Sequence, residues 1–205
     1  TYSGNMTVDG TSVIKADGNA ADGSGAGIRA SSRSGVSLVK AGATVEILNN
    51  NHNGLENYGI FTFEEGVTLR VNGNDEWKTN GGGVYNEGTM ILPSDTEIMN
   101  NHAKGIGGGI CNDGTMTVPA GVVLYNNHAD GAGDDIGCNS TGKFTNASIT
   151  FGKVGSDWTL DDCSHEIDGW YQDGAEHRWS AHSAPLYAYE FTGYGENITG
   201  TLALK

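Results

Sequence analysis

The chain has 205 residues, of which 25 are acidic and 11 are basic, so its formal charge is −14. A surface of that sign repels polyanions, which excludes nucleic acid as an expected partner and disfavours anionic polysaccharides and acidic membranes. No run of about 18 apolar residues occurs, so we expect no transmembrane helix and no membrane insertion.

Short stretches in which apolar and polar residues alternate run through the first part of the chain. They read GNMTV at 4–8, VEILNN at 45–50 and GVTLR at 66–70. A period of two predicts β-strands, and no stretch in this region has a 3.6-residue apolar period long enough for a helix. The 33 glycines, together with asparagine and aspartate, supply the corners between strands.

Two consecutive copies of one repeat follow, at 81–103 and 107–129. They are offset by 26 residues and share 12 identities in 23 aligned positions. One unit of this length cannot bury its own apolar face, but units stacked about 4.8 Å apart can. Aligning the earlier strands with these copies gives a recurring core position, at Ile47, Leu69, Ile98 and Leu124.

The repeat predicts an all-β fold, a right-handed parallel β-helix in which each coil contributes to three short sheets. Core spacings of 22, 29 and 26 residues indicate a solenoid of roughly five or six coils over residues 1–153. The right hand follows from the general rule for parallel crossovers.

Identical residues one coil apart are expected to stack. Asn100 should lie on Asn126 and Asn101 on Asn127, forming a hydrogen-bonded ladder that also satisfies backbone groups at the corner. His102 and His128 lie beside this ladder at a solvent-facing corner. They are a conceivable metal pair, but no third ligand of matching type recurs, so the metal assignment stays open.

Three cysteines are present, at positions 111, 138 and 163. Cys138 and Cys163 flank a strand-like segment and form a candidate disulfide. Cys111 lies inside the repeat, where a small buried residue is expected. No Cys-x-x-Cys pair occurs, so a zinc ribbon is not expected.

The composition changes near residue 154, and residues 154–205 show no repeat. This segment holds 8 of the 17 aromatic residues, and it is predicted to cap the open end of the solenoid. The alternative is a binding site for a glycan or a protein, built from Trp170, Tyr171, Trp179, Asp168 and Asp173. No cofactor is expected apart from calcium, for which Asp161, Asp162, Asp168 and Asp173 offer oxygen ligands.

Parallel β-helices often carry polysaccharide hydrolases and lyases, so catalysis must be weighed. Asp134 and Asp135 form a carboxylate pair of the type that glycoside hydrolysis needs. The Gly-His-Gly and Arg-x-Lys motifs of polygalacturonase-like hydrolases are absent, as are GxSxG, HExxH and the P-loop. We therefore predict no catalytic residue, and keep a polysaccharide hydrolase or lyase as the alternative.

The repeat resembles those of bacterial surface β-helices. Its GGG-V/I motif, IMNNHA at 98–103 and LYNNHA at 124–129 are similar to the GGA-I and FxxNxA repeats of polymorphic outer-membrane proteins. They are closer still to repeats in very large surface proteins of Gram-positive gut bacteria. The resemblance covers about 1–136, and it departs from the outer-membrane pattern where Ile98 or Leu124 replaces phenylalanine.

The resemblance implies an adhesin-like passenger or stalk domain whose motif residues are structural. We therefore expect a secreted or surface-anchored bacterial protein with a non-catalytic structural or adhesion role. Its partner would be a host protein or a glycan, and the fragment is expected to be monomeric. The alternative is a carbohydrate-active module that binds or cleaves glycan.

Overall fold

The segments in which apolar and polar residues alternate form short β-strands in the part of the chain that the structure describes. This computed structural model describes residues 1–19, 25–119, 122–125, 127–131 and 134–138, with further strands at 148–151, 171–172, 175–176, 189–192 and 197–200. The regular elements in these ranges are all strands, and no helix occurs among them. It follows that the described chain has no helix long and apolar enough to span a membrane.

The described strands contain two to five residues each. In chain order they are β1 (Met6–Val8), β2 (Val13–Asp17), β3 (Ile28–Ala30), β4 (Val36–Val39), β5 (Thr44–Leu48), β6 (Leu55–Asn57), β7 (Ile60–Phe63), β8 (Thr68–Asn72), β9 (Asp75–Glu76), β10 (Val84–Asn86), β11 (Thr89–Ile91), β12 (Asp95–Met99), β13 (His102–Ala103), β14 (Ile110–Asn112), β15 (Thr115–Val118), β16 (Val123–Tyr125), β17 (His128–Ala129), β18 (Ile136–Cys138), β19 (Ser148–Phe151), β20 (Tyr171–Gln172), β21 (Ala175–Glu176), β22 (Tyr189–Thr192) and β23 (Asn197–Gly200).

The strands stack into three main sheets, as expected for a parallel β-solenoid. The first sheet has the order β1-β4-β7-β11-β15-β19, the second β2-β5-β8-β12-β16 and the third β3-β6-β10-β14-β18-β20-β21. A small corner sheet, β9-β13-β17, lies between the second and third sheets in chain order. Neighbours are parallel except in β20–β21 and β22–β23, so each turn of the chain pairs with the turns before and after it.

The core is a set of apolar columns, because alternate residues of each strand point inward. Met90 pairs with Met116, and Val84 pairs with Ile110, so residues one 26-residue repeat apart lie in one column. Phe61 pairs with Met90 of the next turn and so belongs to the same column. Its ring also stacks on that of Phe63, with centroids 4.8 Å apart.

One predicted column is wrong by two residues. Ile47 pairs with Val71, Val71 pairs with Ile98, and Ile98 pairs with Leu124. Leu69 pairs instead with Val45 and Thr96. The error was hidden because a shift of two residues keeps the same face of a strand, so Leu69 is still fully buried.

Residues with positive φ make the corner that follows the second sheet. Asn49 and Asn100 have φ of 54°, and Gly73 between them in the stack has φ of 70°. Asparagine and glycine are the residues that adopt this left-handed conformation most readily. The sequence Asn-Asn therefore turns the chain with its first residue and buries its second.

The described chain covers the solenoid but only part of the C-terminal segment. The described chain makes about four turns, so the expected five or six coils are not confirmed. Most of residues 154–205 lie outside the described residues. The cap, and the boundary between residues 153 and 154, therefore stay predictions.

Candidate functional site

The predicted aromatic and acidic site lies almost wholly outside the described residues. Its members there are Trp170, Trp179, Asp168 and Asp173. Tyr171 begins β20, which pairs with β18 through Gly137. Cys163 also lies outside the described residues, so the disulfide with Cys138 stays a prediction. Cys111 is a fully buried thiol, as expected.

A line of asparagine side chains, the asparagine ladder, runs along the corner between the second sheet and the corner sheet, and all of its members except the first, Asn19, are buried. Asn101 Nδ2 donates to Asn127 Oδ1 over 3.0 Å. Asn74 donates in the same way to Asn101 over 2.8 Å, Asn50 to Asn74 over 2.7 Å and Asn19 to Asn50 over 2.6 Å. The amides thus join five successive levels of the solenoid.

The asparagine ladder also satisfies backbone groups at each level. The backbone N–H of Asn74 donates to Asn101 Oδ1 over 3.0 Å, and Asn74 Nδ2 donates to the carbonyl of Ile47 over 3.1 Å. Asn101 repeats this pattern one level on, with Asn127 Oδ1 and the Val71 carbonyl. Since a buried polar group left without a partner costs about 1–3 kcal/mol, each amide stabilises several groups at once.

Asn100 does not take part in this buried line. Its Nδ2 donates to Asn72 Oδ1 over 3.0 Å at the exposed corner. Asn126, on which it was expected to stack, lies outside the described residues.

A second ladder, unforeseen from the sequence, lies at the corner between the third and first sheets. Asn57 Nδ2 donates to Asn86 Oδ1 over 2.7 Å, and Asn86 Nδ2 donates to Asn112 Oδ1 over 2.7 Å. All three side chains are fully buried. The sequence carries a signal for this ladder, because Asn86 in VYNEG and Asn112 in ICNDG occupy the same position in the two copies of the repeat.

A polar cleft of about 390 Å³ opens beside the third sheet. Arg29, Glu56 and Tyr85 reach it from β3, β6 and β10, and the segments at 52–53 and 76–80 form its other wall. It is a mixed surface of charges, amides and phenol rings, which suits a polar ligand better than an apolar one.

Glu76 is the more deeply buried of the two carboxylates that line this cleft, Glu56 and Glu76. Its Oε1 accepts the backbone N–H groups of Lys78 and Thr79 over 2.9 and 3.0 Å. Its Oε2 accepts the N–H of Asn53 over 3.2 Å and lies 3.4 Å from Nδ1 of His52. The carboxylate therefore holds two loops together.

A row of phenol and carboxylate groups crosses the third sheet next to the cleft. Tyr58 donates to Glu56 over 2.6 Å, and the hydroxyl of Tyr85 lies 2.9 Å from Glu87 and 3.1 Å from Asp113. Burial, followed by the nearby carboxylates, raises the pKa of both tyrosines well above the usual 10.0. Both hydroxyls therefore stay protonated donors at neutral pH.

Histidine and aspartate side chains cluster on the corner sheet, where β13 and β17 bring His102 beside His128. The two rings are stacked, with centroids 5.6 Å apart and planes 14° apart. Nε2 of His102 lies 3.0 Å from Asp130 Oδ1, and Nε2 of His128 lies 3.6 Å from the same oxygen. Nδ1 of His102 lies 2.7 Å from Asp75, and Nδ1 of His128 lies 3.1 Å from Asp134.

The charges in this cluster shift two pKa values. Burial opposes protonation of His102, but its hydrogen bonds with Asp130 and Asp75 outweigh burial and raise its pKa above the usual 6.5. Hydrogen bonds from Lys104 and His102 lower the pKa of Asp130 to about 2. Asp130 is therefore ionised throughout the neutral range.

Asp130 is the third group that the sequence left unassigned. It follows His128 by two residues, and in a strand that spacing returns a side chain to the same face. The carboxylate pair considered for hydrolysis borders this cluster. Asp134 Oδ1, beside His128, accepts the Ala129 N–H over 2.7 Å, and Asp135 Oδ1 accepts from Asn127 over 2.8 Å. Both aspartates are buried at the end of the asparagine ladder.

Comparisons with known proteins return nothing at this point. No family model, no curated protein and no solved structure matches the chain.

Proposed function

We propose that this chain is a non-catalytic structural or adhesion module of a secreted or surface-anchored bacterial protein, in which the solenoid acts as a stiff spacer. The asparagine ladder carries the proposal, because it adds a side-chain hydrogen bond between consecutive levels from Asn19 to Asn127, and those from Asn50 onward are buried. The resemblance of the repeat to bacterial surface β-helices supports the location.

A spacer has to resist being pulled apart coil by coil. Detaching one level of this solenoid breaks parallel strand pairing in every sheet and also the ladder bonds on both sides of that level. Those bonds lie in a water-poor corner, where a lost partner is not replaced by solvent at once. The ladder therefore suits a load along the stack.

The carboxylates of the cleft support a structural role over catalysis. Glu76 accepts three backbone N–H groups. Glu56 accepts from Tyr58 and lies 3.1 Å from Nε of Arg29. A glycosidase needs one carboxyl that gives up a proton and another that attacks or activates water, and both of these are engaged as acceptors.

The experiment is single-molecule stretching of the full chain between flanking handles. The wild-type chain should lengthen in abrupt steps, and Asn74→Ala should lower the force at which the first step occurs. Asn72→Ala is the matched control, since Asn72 lies two residues away in the same turn and loses only one solvent-accessible bond, from Asn100, so it should lower the force much less than Asn74→Ala does. Smooth extension of the wild type without steps would contradict a spacer.

A second candidate, glycan binding, is favoured by Trp77. Its ring is half-exposed next to the cleft residues Glu76 and Lys78, and Lys78 Nζ lies 4.2 Å from the ring centroid. An exposed indole beside hydrogen-bonding groups is a common platform for a sugar ring.

A glycan array and a set of host-matrix proteins, each probed with and without calcium, test this candidate. Loss of a specific signal in Trp77→Ala places the site at the cleft, whereas loss in Trp170→Ala or Trp179→Ala places it in the C-terminal segment. Ile91→Ala, an exposed apolar position on the first sheet, is the control. If no signal appears under any condition, the spacer role is the remaining proposal. Release of sugar from a glycan would instead favour the hydrolase or lyase alternative.

A further inference from the structure

We propose that His102, His128 and Asp130 form a binding site for a divalent transition-metal ion, with Zn²⁺ as the type. Their ligand atoms lie within 4.8 Å of one another. The site is separate from the cleft and from the spacer role, and it uses side chains from two successive turns.

The distances match what a small tetrahedral ion requires. Bonds of about 2.0–2.1 Å at tetrahedral angles place neighbouring ligand atoms about 3.3 Å apart. The two imidazole Nε2 atoms lie 3.0 and 3.6 Å from Asp130 Oδ1. The two imidazole rings are stacked with planes 14° apart, so they must rotate toward each other for both Nε2 atoms to meet one ion.

Both histidines are already oriented as metal ligands are. A ligating imidazole usually donates its second N–H to a carboxylate, which fixes the tautomer and the ring plane. Here Nδ1 of His102 faces Asp75, and Nδ1 of His128 faces Asp134, which is itself anchored by the Ala129 N–H. With Nδ1 of each ring donating to its carboxylate, loss of the Nε2 proton, which His102 now donates to Asp130 Oδ1, frees the Nε2 lone pair for an ion.

The scaffold explains why the two rings lie side by side. His102 and His128 occupy paired positions of parallel strands, so their side chains leave the backbone in the same direction one level apart. Asp130 stands two residues beyond His128 on that face. The repeat of 26 residues has thus built a site that one turn alone cannot form.

The ligand types select the ion. Two imidazoles with one carboxylate suit zinc, copper or nickel, whereas calcium takes six to eight oxygen ligands. Lys104 donates to the other oxygen of Asp130, so its ammonium competes with the ion for the same carboxylate. His128 is 63% exposed, which leaves room for a solvent ligand.

Calorimetric titration of the chelator-treated full chain with Zn²⁺ tests the site. The wild type should bind one ion at this site, and excess Ca²⁺ should not compete. His128→Ala and Asp130→Asn should each weaken binding more than Asp75→Asn, for which the loss typical of an outer-shell carboxylate is about 10–100-fold. Asp95→Asn, an exposed aspartate of the second sheet, should change nothing.

Two further readouts separate ligation from folding. Thermal unfolding in chelator should be the same for His128→Ala and wild type, since the side chain is exposed. Lys104→Met should bind Zn²⁺ more tightly than wild type, because the competing cation is gone. Failure of the wild type to bind Zn²⁺ would overturn the site, as would equal binding by His128→Ala, which would assign the ion to His165, His177 or His182.

Discussion

Asn101 and Asn127 are 26 residues apart in the chain, and their side-chain amides are joined by a 3.0 Å hydrogen bond in the buried corner of the solenoid. The same two residues are identical in the two clearest copies of the repeat. The repeat period is therefore the number of residues in one turn. The asparagine recurs at this position because its side chain hydrogen-bonds to the same residue type in the next turn.

Replacing Asn101 by alanine should destabilise the fold. It leaves Asn74 Nδ2, the Val71 carbonyl and Asn127 Oδ1 without their present partner. We expect the free energy of unfolding to fall by about 2–4 kcal/mol, measured by urea denaturation. Asn72→Ala removes one hydrogen bond at the exposed corner and should cost less, about 0.5–1.5 kcal/mol. Equal effects of the two changes would contradict a stabilising ladder.

The stacked phenylalanines of the first sheet should be among the costliest core positions. Phe61 is 1% exposed and packs on Phe63, so Phe61→Ala leaves a cavity in the column. The expected loss is about 3–5 kcal/mol. Thr62→Ala, on the outer face of the same strand, should cost far less. A small loss at Phe61 would mean that the neighbouring levels collapse into the space.

Stability should decline above the usual tyrosine pKa because of Tyr85. Its pKa is raised in the folded chain above the usual 10.0, so the folded state keeps a proton that the unfolded chain releases. This contribution is complete below about pH 10 and is lost as the pH rises toward the folded pKa. In Tyr85→Phe the contribution is absent.

Urea denaturation of wild type and Tyr85→Phe at a series of pH values, from neutral to above about pH 10, measures this effect. The difference in free energy of unfolding between the two proteins should shrink as the pH passes the usual tyrosine pKa. Parallel curves across that range would show that the hydroxyl of Tyr85 titrates like a solvent-exposed phenol.

Thiol counting tests the predicted disulfide. Cys111 is fully buried, so it should not react with an alkylating reagent in the native protein. If Cys138 and Cys163 are bridged, denaturation without reductant should expose one reactive thiol, and denaturation with reductant should expose all three cysteines. Mass spectrometry of the alkylated chain reads the number directly. Three thiols without reductant would exclude the bridge.

The sequence predicted the strand pairing where the repeat is exact. The 26-residue offset gave the pairing of Val84 with Ile110 and of Met90 with Met116, since identical spacing forces identical register. Between turns of unequal length the offset no longer holds. Leu69 was placed in the wrong column there, because shifts of two residues are indistinguishable when only alternation is read.

The cluster and the cleft were harder to predict, because their residues do not occupy equivalent positions in successive repeats. Asp130 stands in the cluster with His102, but it has no counterpart at 104, where the previous copy has lysine. The cleft is similar: Glu56 and Glu76 belong to different sheets and become neighbours only through the path of the turn. Periodicity reports columns along the stack and says little about contacts across it.

Hydrogen exchange of the asparagine side-chain amides, followed by NMR, tests the central claim most directly. If the asparagine ladder joins the turns, the Nδ2 protons of Asn50, Asn74, Asn101 and Asn127 should exchange far more slowly than those of Asn72 and Asn100 at the exposed corner. Their slow exchange would mean that the corner is dry and hydrogen-bonded through the stack. Exchange as fast as that of Asn72 would show that the ladder bonds do not persist in solution, and it would contradict the proposed role as a stiff spacer.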